Sequence, residues 1–150
     1  MSLKAQLRSD LTEAMRAKND VRRSTLRMAL TAITNEEVAG KQSRELTDDD
    51  VVKVLARELK KRNEAATAFA DAGQPERADA ELAEAKVLES YLPAQLSDAE
   101  VTEIVARAIS DIGVSGPPAM GQVMKVVQPA IAGRADGGRV AAEVKRQLAG

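Results

Sequence analysis

The segment Thr47–Gly73 reads TDDDVVKVLARELKKRNEAATAFADAG and carries the clearest structural signal in the chain. It opens on a threonine followed by three aspartates, the pattern of an N-cap residue with carboxylates in the positive first turn of a helix. The residues that follow recur at helical spacing. They are Val51, Val52, Leu55, Leu59, Arg62, Ala66 and Phe69. This pattern predicts one helix of about 25 residues that ends at Ala72-Gly73.

Helices of the same kind are predicted on both sides of this segment. A first helix covers Ser2 to Ala17, and Asn19-Asp20 supplies the turn and the N-cap of a second helix. The second helix is predicted to end at Val38–Gly40, where Gly40 fits a C-terminal cap. Pro75 suits the first turn of a fourth helix. The inner face predicted for that fourth helix consists of Ala78, Leu82, Ala85 and Leu88.

Leu92-Pro93 is the predicted domain boundary, because the residue before a proline is disfavoured in helical geometry. The helices predicted after it are shorter than those before it. Ser97-Asp98-Ala99-Glu100 is a capping box that opens a fifth helix. Shorter helices are predicted from Met120 to Ile131 and through Val140 to Leu148, with tight loops between them. We therefore expect an all-α chain with two domains. Residues 1–92 form about four antiparallel helices, and residues 93–150 form a smaller three-helix domain.

The missing residue types restrict the chemistry of the chain. Its 150 residues include no Cys, no His and no Trp, with Phe69 and Tyr91 as the single aromatic residues of their kinds. Disulfides, Cys/His zinc sites and hydrolases of the Ser-His or Cys-His type are excluded. Binding of single-stranded nucleic acid on an aromatic platform is excluded as well. We expect no catalytic residue, no metal and no cofactor.

The charge balance and the hydropathy restrict the partners and the location. The chain carries 22 basic and 23 acidic residues, so a nucleic-acid contact has to come from a local patch. The longest uncharged segment, Ile112–Met124, contains glycines and prolines and is too short to span a membrane. Acidic residues near the N-terminus argue against a targeting segment. We expect a cytoplasmic protein without a membrane contact.

Two groups of basic residues are candidates for binding. The first consists of Arg16, Lys18, Arg22, Arg23 and Arg27. It fits an RNA or an acidic partner, but also a solvated face that pairs with acidic side chains nearby. The second consists of Lys53, Arg57, Lys60, Lys61 and Arg62. Here Asp49 with Lys53 and Glu58 with Arg62 have the spacing of ion pairs within a helix, which favours a structural role.

The carboxylates of the fourth helix are candidates for acid–base chemistry. Such chemistry needs a carboxyl group in a desolvated pocket, with a shifted pKa. Glu81, Glu84 and Glu89 lie in a helix rich in alanine and charge, without an evident set of polar partners. We interpret them as exposed, solubilising side chains.

The last loop, Gly133 to Gly138, is the strongest candidate for an anion site. Glycines before a helix expose backbone N–H groups at its positive end, which suits a phosphate. The candidate tRNA- or anion-binding residues are Lys125, Gly133, Arg134, Gly137, Gly138 and Arg139. The alternative is a plain helix connection, in which Gly133 and Asp136 act as caps. The spacing differs from that of a nucleotide P-loop.

Short motifs along almost the whole chain resemble those of a known protein family. In order they are AMRAKND at 14–20, Leu26-Arg27, KRNE at 61–64, Ala72-Gly73 with Glu81, YLPAQLS at 91–97, MGQVMK at 120–125 and GRADG at 133–137. Their order and spacing resemble the YqeY family. The chain departs from that pattern at Gln74, where an arginine is expected, and at Ala119, where an acidic residue is expected.

The resemblance implies a fold and a function. The family is all-α, and its C-terminal part is similar to the tail of the B subunit of the tRNA-dependent amidotransferase. That tail helps to hold tRNA, whereas the chemistry lies in a separate domain without an equivalent in this chain. The resemblance therefore implies a tRNA-binding accessory protein, with tRNA contacts at 120–125 and 133–137. Two alternatives stay open: a component of a carbon–nitrogen ligase (glutamine as amido-N donor) that acts with a catalytic subunit, and a helical protein–protein adaptor. The expected partners are tRNA and a tRNA-processing or amidotransferase protein.

Overall fold

The computed structural model describes residues 1–131 and 133–150. In these residues the chain forms α-helices and one short 3-10 turn at Pro117–Ala119, and no β-strand. The helices are α1 (Leu3–Arg16), α2 (Asp20–Glu37), α3 (Asp48–Asp71), α4 (Pro75–Glu89), α5 (Asp98–Ile112), α6 (Met120–Ile131) and α7 (Gly137–Leu148). The prediction of an all-α chain is confirmed.

Contacts between residues divide the chain into two compact units, Met1–Leu92 and Pro93–Gly150. The first unit packs α1–α4 around a core whose fully buried members include Leu7, Leu26, Ile33, Val51 and Leu55. The second unit packs α5–α7 around a separate core with Val101, Val105, Val123, Val127 and Val144 at its centre. Each unit thus buries its own apolar helix faces, as an amphipathic helix requires. Independent folding of the two units stays a prediction.

The helix starts follow the capping signals of the sequence. Asn19 accepts a hydrogen bond from the backbone of Arg22 at the start of α2. Complete capping boxes join Thr47 to Asp50 and Ser97 to Glu100. In each box the two side chains satisfy N–H groups that would otherwise lack a partner at the helix start.

The predicted cap at Gly40 is wrong. Helix α2 ends at Glu37, and Gly40 is not among the residues with a positive φ, whereas Gly133 has the expected φ of 78°. The Glu37 carbonyl instead accepts a hydrogen bond of 2.9 Å from the backbone N–H of Arg44. The returning loop therefore satisfies the end of α2 without a left-handed glycine.

The predicted inner face of α4 is wrong at one position, and two of its glutamates are less exposed than expected. Leu82 is 48% exposed, whereas Glu81 and Glu84 are partly buried. The cause is Arg62 of α3, which is 7% exposed and whose Nε lies 3.2 Å from a carboxylate oxygen of Glu84. Residues 82 and 84 lie on opposite faces of a helix, so the orientation that brings Glu84 to Arg62 leaves Leu82 in solvent. Glu89 is exposed, as predicted.

The last loop is shorter than predicted. Helix α7 begins at Gly137, so Gly137 and Gly138 form its first turn instead of belonging to the loop. Asp136 occupies the N-cap position, but its side chain makes no cap hydrogen bond. The expected capping role of Asp136 is therefore corrected. Within α6, Pro129 lies in the last turn, as predicted.

Candidate functional site

The loop before α7 is tied to the segment before α5 by backbone and side-chain hydrogen bonds. The backbone N–H of Leu96 donates to the Arg134 carbonyl at 2.7 Å. The Leu96 carbonyl in turn accepts a hydrogen bond of 2.8 Å from the guanidinium of Arg139. The side-chain amide of Gln95 donates to the Gly133 carbonyl at 3.1 Å. Arg134 and Arg139 are thus brought together around Leu96, at the N-terminal end of α7.

The two arginines differ in how far their charge is already engaged. Arg139 forms an ion pair of 3.0 Å with Asp98, in addition to its bond to Leu96. The side chain of Arg134 makes one long contact of 3.5 Å, to the Ala130 carbonyl. Hydrogen bonds from Ser97 hold the pKa of Glu100 below its ordinary value, and the charge of Arg134 adds a smaller contribution. Arg134 therefore has the more available charge, and an anion contact of Arg139 stays a prediction.

The first turn of α7 has the properties of an anion site. Helix N-termini present unpaired N–H groups and a partial positive charge. A Cβ atom placed on Gly137 would meet no other atom within 4 Å, so space is open at the first residue of α7. The carboxylate of Asp136 lies at the same end, and its negative charge opposes an anion.

Within the part of the chain that the structure describes, no hydrogen bond or ion pair joins Lys125 to this group. It lies on an exposed face of α6, six residues before the helix ends at Ile131. That separation is about 9 Å along a helix axis. A role for Lys125 in the same site stays a prediction.

The first basic group divides into paired and unpaired residues. Arg22 donates to the Tyr91 hydroxyl and lies 3.5 Å from Asp10. Arg23 pairs with Asp20 at 3.1 Å. Arg16, Lys18 and Arg27 are exposed and form no ion pair within the described part of the chain. Their predicted contact with RNA or an acidic partner stays a prediction.

Four of the five residues in the second basic group form ion pairs, which agrees with a structural role. Glu58 pairs with Arg62 at 3.0 Å, as the spacing predicts. Arg57 pairs with Glu36 of α2 at 3.1 Å. The predicted pair of Asp49 and Lys53 does not form in the described residues. Both side chains are exposed, where an ion pair gains little free energy.

A groove between α5 and α6 escaped the sequence analysis. It encloses about 390 Å³, and we call it the α5–α6 groove. Its apolar residues are Leu96, Ile104, Ala108, Val126, Val127 and Ala130. Its charged residues are Glu100, Glu103, Arg107, Asp111 and Arg134. Val126 is 48% exposed, whereas its neighbour Val127 is buried. The two adjacent valines are the sequence signal that could have indicated a second apolar face on α6.

Residues 1–131 and 133–150 contain neither a metal-binding cluster nor a membrane-spanning helix. No group of three or more acidic side chains is arranged to hold a metal ion. No helix combines the length and the apolar character that crossing a membrane requires.

Comparison with known proteins shows the family. A family model described as "Yqey-like protein" matches residues 4–148. Among curated proteins, the chain is similar to "Altered inheritance of mitochondria protein 41, mitochondrial" of Clavispora lusitaniae, with 29% identity over 74% of this chain and 65% of that protein. The protein of the same name from Kluyveromyces lactis is 30% identical over 75% and 62%. An uncharacterized protein of Schizosaccharomyces pombe is 33% identical over 65% and 77%.

These matches cover different shares of the proteins compared. The chain spans less than two thirds of the length of the two proteins named for mitochondrial inheritance. The family model, in contrast, accounts for nearly every residue of the chain. The chain therefore belongs to the YqeY family.

Proposed function

We propose that this protein is an RNA-binding accessory protein whose ligand is tRNA, and that its second unit holds a phosphate at the N-terminal end of α7. The observation that carries the proposal is the position of Arg134. Among residues 1–131 and 133–150 its guanidinium has no ion pair within 4.0 Å, and its backbone is fixed to Leu96 beside the open first turn of α7. Phosphate contacts of this kind position a nucleic acid and carry no sequence information.

The chemistry of the chain agrees with this role. Backbone N–H groups and arginine are the usual donors to phosphate oxygens. The net charge of −1 limits nonspecific attraction, so affinity has to come from a few contacts and has to depend on salt. The similarity of the C-terminal part to the amidotransferase tail supports tRNA over other RNAs. The ligase component and the protein adaptor remain the alternatives.

A titration of the full chain with total tRNA at several salt concentrations tests the proposal. Arg134→Ala is expected to lower the affinity and to reduce the salt slope by about one unit. Asp136→Asn removes a negative charge at the same helix end and is expected to raise the affinity. A decrease in tRNA affinity for Arg134→Ala together with an increase for Asp136→Asn is the result expected for a phosphate bound at the N-terminal end of α7.

The matched control is Lys145→Ala. Lys145 is exposed in the last turn of the same helix, so its replacement makes the same change in charge at the opposite end of α7. It is expected to leave the salt slope unchanged. Equal effects of Arg134→Ala and Lys145→Ala, or no binding of tRNA to the unaltered chain, would show the proposal to be wrong.

A further inference from the structure

We propose that the α5–α6 groove binds an amphipathic α-helix of a partner protein, and that the Arg134 end of this groove is shared with the proposed RNA contact. The groove has an aliphatic floor, and Val126 keeps nearly half of its surface in solvent. A concave site lined mainly by apolar side chains, with a few charged groups that orient the ligand, is typical of a binding site. The rim has a basic residue available at one end and an acidic residue available at the other, and this order of charges indicates the occupant.

The walls of the groove exclude other modes of recognition. Both walls are α-helices, whose backbone groups bond within the helix, so a peptide cannot add to them as a β-strand. Proline-rich peptides dock on aromatic side chains, and nucleobases stack on them. None of the lining residues is aromatic. Among the modes of peptide recognition, docking of an apolar helix face fits an aliphatic groove between two helices.

The rim carries three acidic and two basic residues, which does not favour a polyanion along the whole groove and gives the partner helix a direction. Glu103 pairs with Arg107 at 3.6 Å, and Glu100 belongs to the capping box of α5. The charges left for a partner are then Arg134 at one end and Asp111 at the other. Helices favour acidic residues in the first turn and basic residues in the last turn. A partner helix with this ordinary charge order would place its N-terminal end near Arg134 and its C-terminal end near Asp111.

The length of the groove agrees with a short helix. Glu100 and Asp111 are eleven residues apart on α5, which corresponds to about 16 Å. A helix of about three turns covers that distance. Such a helix presents apolar side chains at positions i, i+3 or i+4, and i+7 to one face.

The test uses a fluorescent synthetic peptide of about 14 residues and the full chain. The peptide carries glutamates in its first turn, leucines at helical spacing, lysines in its last turn and alanine elsewhere. We expect saturable binding with a micromolar Kd. Val126→Glu is expected to weaken it about tenfold or more, because the charge would lose its water in the groove. Glutamate is a better helix former than valine, so this substitution should not unfold α6.

The matched control is Val21→Glu, since Val21 is 45% exposed on α2 of the other unit. It should leave the Kd unchanged. A peptide with scrambled leucines should not bind, and a peptide with reversed charge order should bind more weakly to the unaltered chain. Asp111→Lys should reverse that preference between the two charge orders.

Three results would overturn the proposal. The first is that the charge-ordered peptide shows no saturable binding. The second is that the scrambled peptide binds as tightly as the charge-ordered one, or that the Val126→Glu variant binds the charge-ordered peptide as tightly as the unaltered chain does. The third is a dimer of the unaltered chain that Val126→Glu converts to a monomer in sedimentation, since a second copy would then fill the groove. Neither Val126 nor Asp111 belongs to the proposed RNA contact, so failure of the peptide test leaves the tRNA titration unaffected.

Discussion

The hydroxyl of Tyr91 donates a hydrogen bond of 2.6 Å to the carboxylate of Asp10, across 81 positions of sequence. Arg22 of α2 donates to the same hydroxyl at 2.8 Å, and its guanidinium lies 5.7 Å from the centre of the tyrosine ring. Tyr91, the second residue after α4, is thereby held against α1 and α2. Because Tyr91 is the only tyrosine and the chain has no tryptophan, its spectrum reports on this contact alone.

The first prediction concerns the ionisation of Tyr91. Burial, followed by the hydrogen bond to Asp10, raises the pKa of Tyr91 above the ordinary value near 10. In the folded chain we therefore expect no tyrosinate absorbance at 295 nm until well above pH 10. Because the pKa of Tyr91 is raised, the contribution of the Tyr91 contact to the free energy of unfolding is complete below pH 10. It is lost as the pH rises further, because the unfolded chain releases the proton first.

A variant tests the cause of this shift. Asp10→Asn keeps the size of the acceptor but removes its charge, so Tyr91 should titrate at a lower pH than in the unaltered chain. Tyr91→Phe should lower the free energy of unfolding by about 1 kcal/mol in denaturant titrations at pH 7. An ordinary titration of Tyr91 near pH 10 in the folded chain would contradict the contact.

The second prediction concerns the buried guanidinium of Arg62. It joins Glu58 on α3 at 3.0 Å and Glu84 on α4 at 3.2 Å, and the exposed fractions of these two side chains are 14% and 25%. Arg62→Met leaves two carboxylates together in a partly desolvated place. We expect a loss of about 2 kcal/mol in the free energy of unfolding, less than for a fully buried pair because water reaches both acids.

A double-mutant cycle separates this effect from lost packing. Glu84→Gln in the Arg62→Met background should recover part of the lost stability, because it removes one uncompensated charge. The same Glu84→Gln change in the unaltered chain should destabilise it. Additive effects of the two substitutions would show that Arg62 and Glu84 do not interact.

The third prediction concerns the bond between α7 and α5 through Glu143 and Gln147. Glu143 accepts hydrogen bonds from Arg146 and from Gln147, and Gln147 also donates to the Thr102 carbonyl of α5 at 2.9 Å. The bonds from Arg146 first, and then from Gln147, lower the pKa of Glu143 from 4.5 to about 2. An NMR titration of the Glu143 side chain should find this value.

The lowered pKa fixes the direction of the pH dependence. The contribution of Glu143 to stability is present above pH 4.5, the value for the unfolded chain, and is lost as the pH falls towards 2. Glu143→Gln should therefore be less stable than the unaltered chain at pH 7, and the difference should shrink below pH 4.5. A difference that stays constant from pH 7 to pH 3 would contradict an ionic origin.

The fourth prediction is that the two units fold separately. Limited proteolysis should cut first between Pro93 and Asp98, or in the loop Lys41–Glu45. Within the first of these segments, Gln95 and Leu96 are bonded to Gly133 and Arg134, so the earliest cut should fall before Gln95. Fragments 1–92 and 93–150, expressed alone, should each unfold cooperatively. A single transition of the full chain that both fragments lack would refute separate folding.

Local interactions explain what the sequence alone determined. A capping box such as Ser97 with Glu100, or the end of α6 at Ile131 two residues after Pro129, depends on neighbours within one or two turns. Such interactions act in any tertiary setting, so the order of the helices and most of their ends could be predicted. The glycine and arginine content of the last loop could also be read directly.

Only the tertiary structure decided which side chains are available. The orientation of α4, with Glu84 inward and Leu82 outward, depends on Arg62 22 positions earlier in the sequence. The engagement of Arg139 by Leu96 and Asp98, and the α5–α6 groove beside them, likewise depend on contacts between helices. The spacing of residues along one helix fixes which side chains share a face, but the neighbouring helices fix which face is buried and which charge is neutralised.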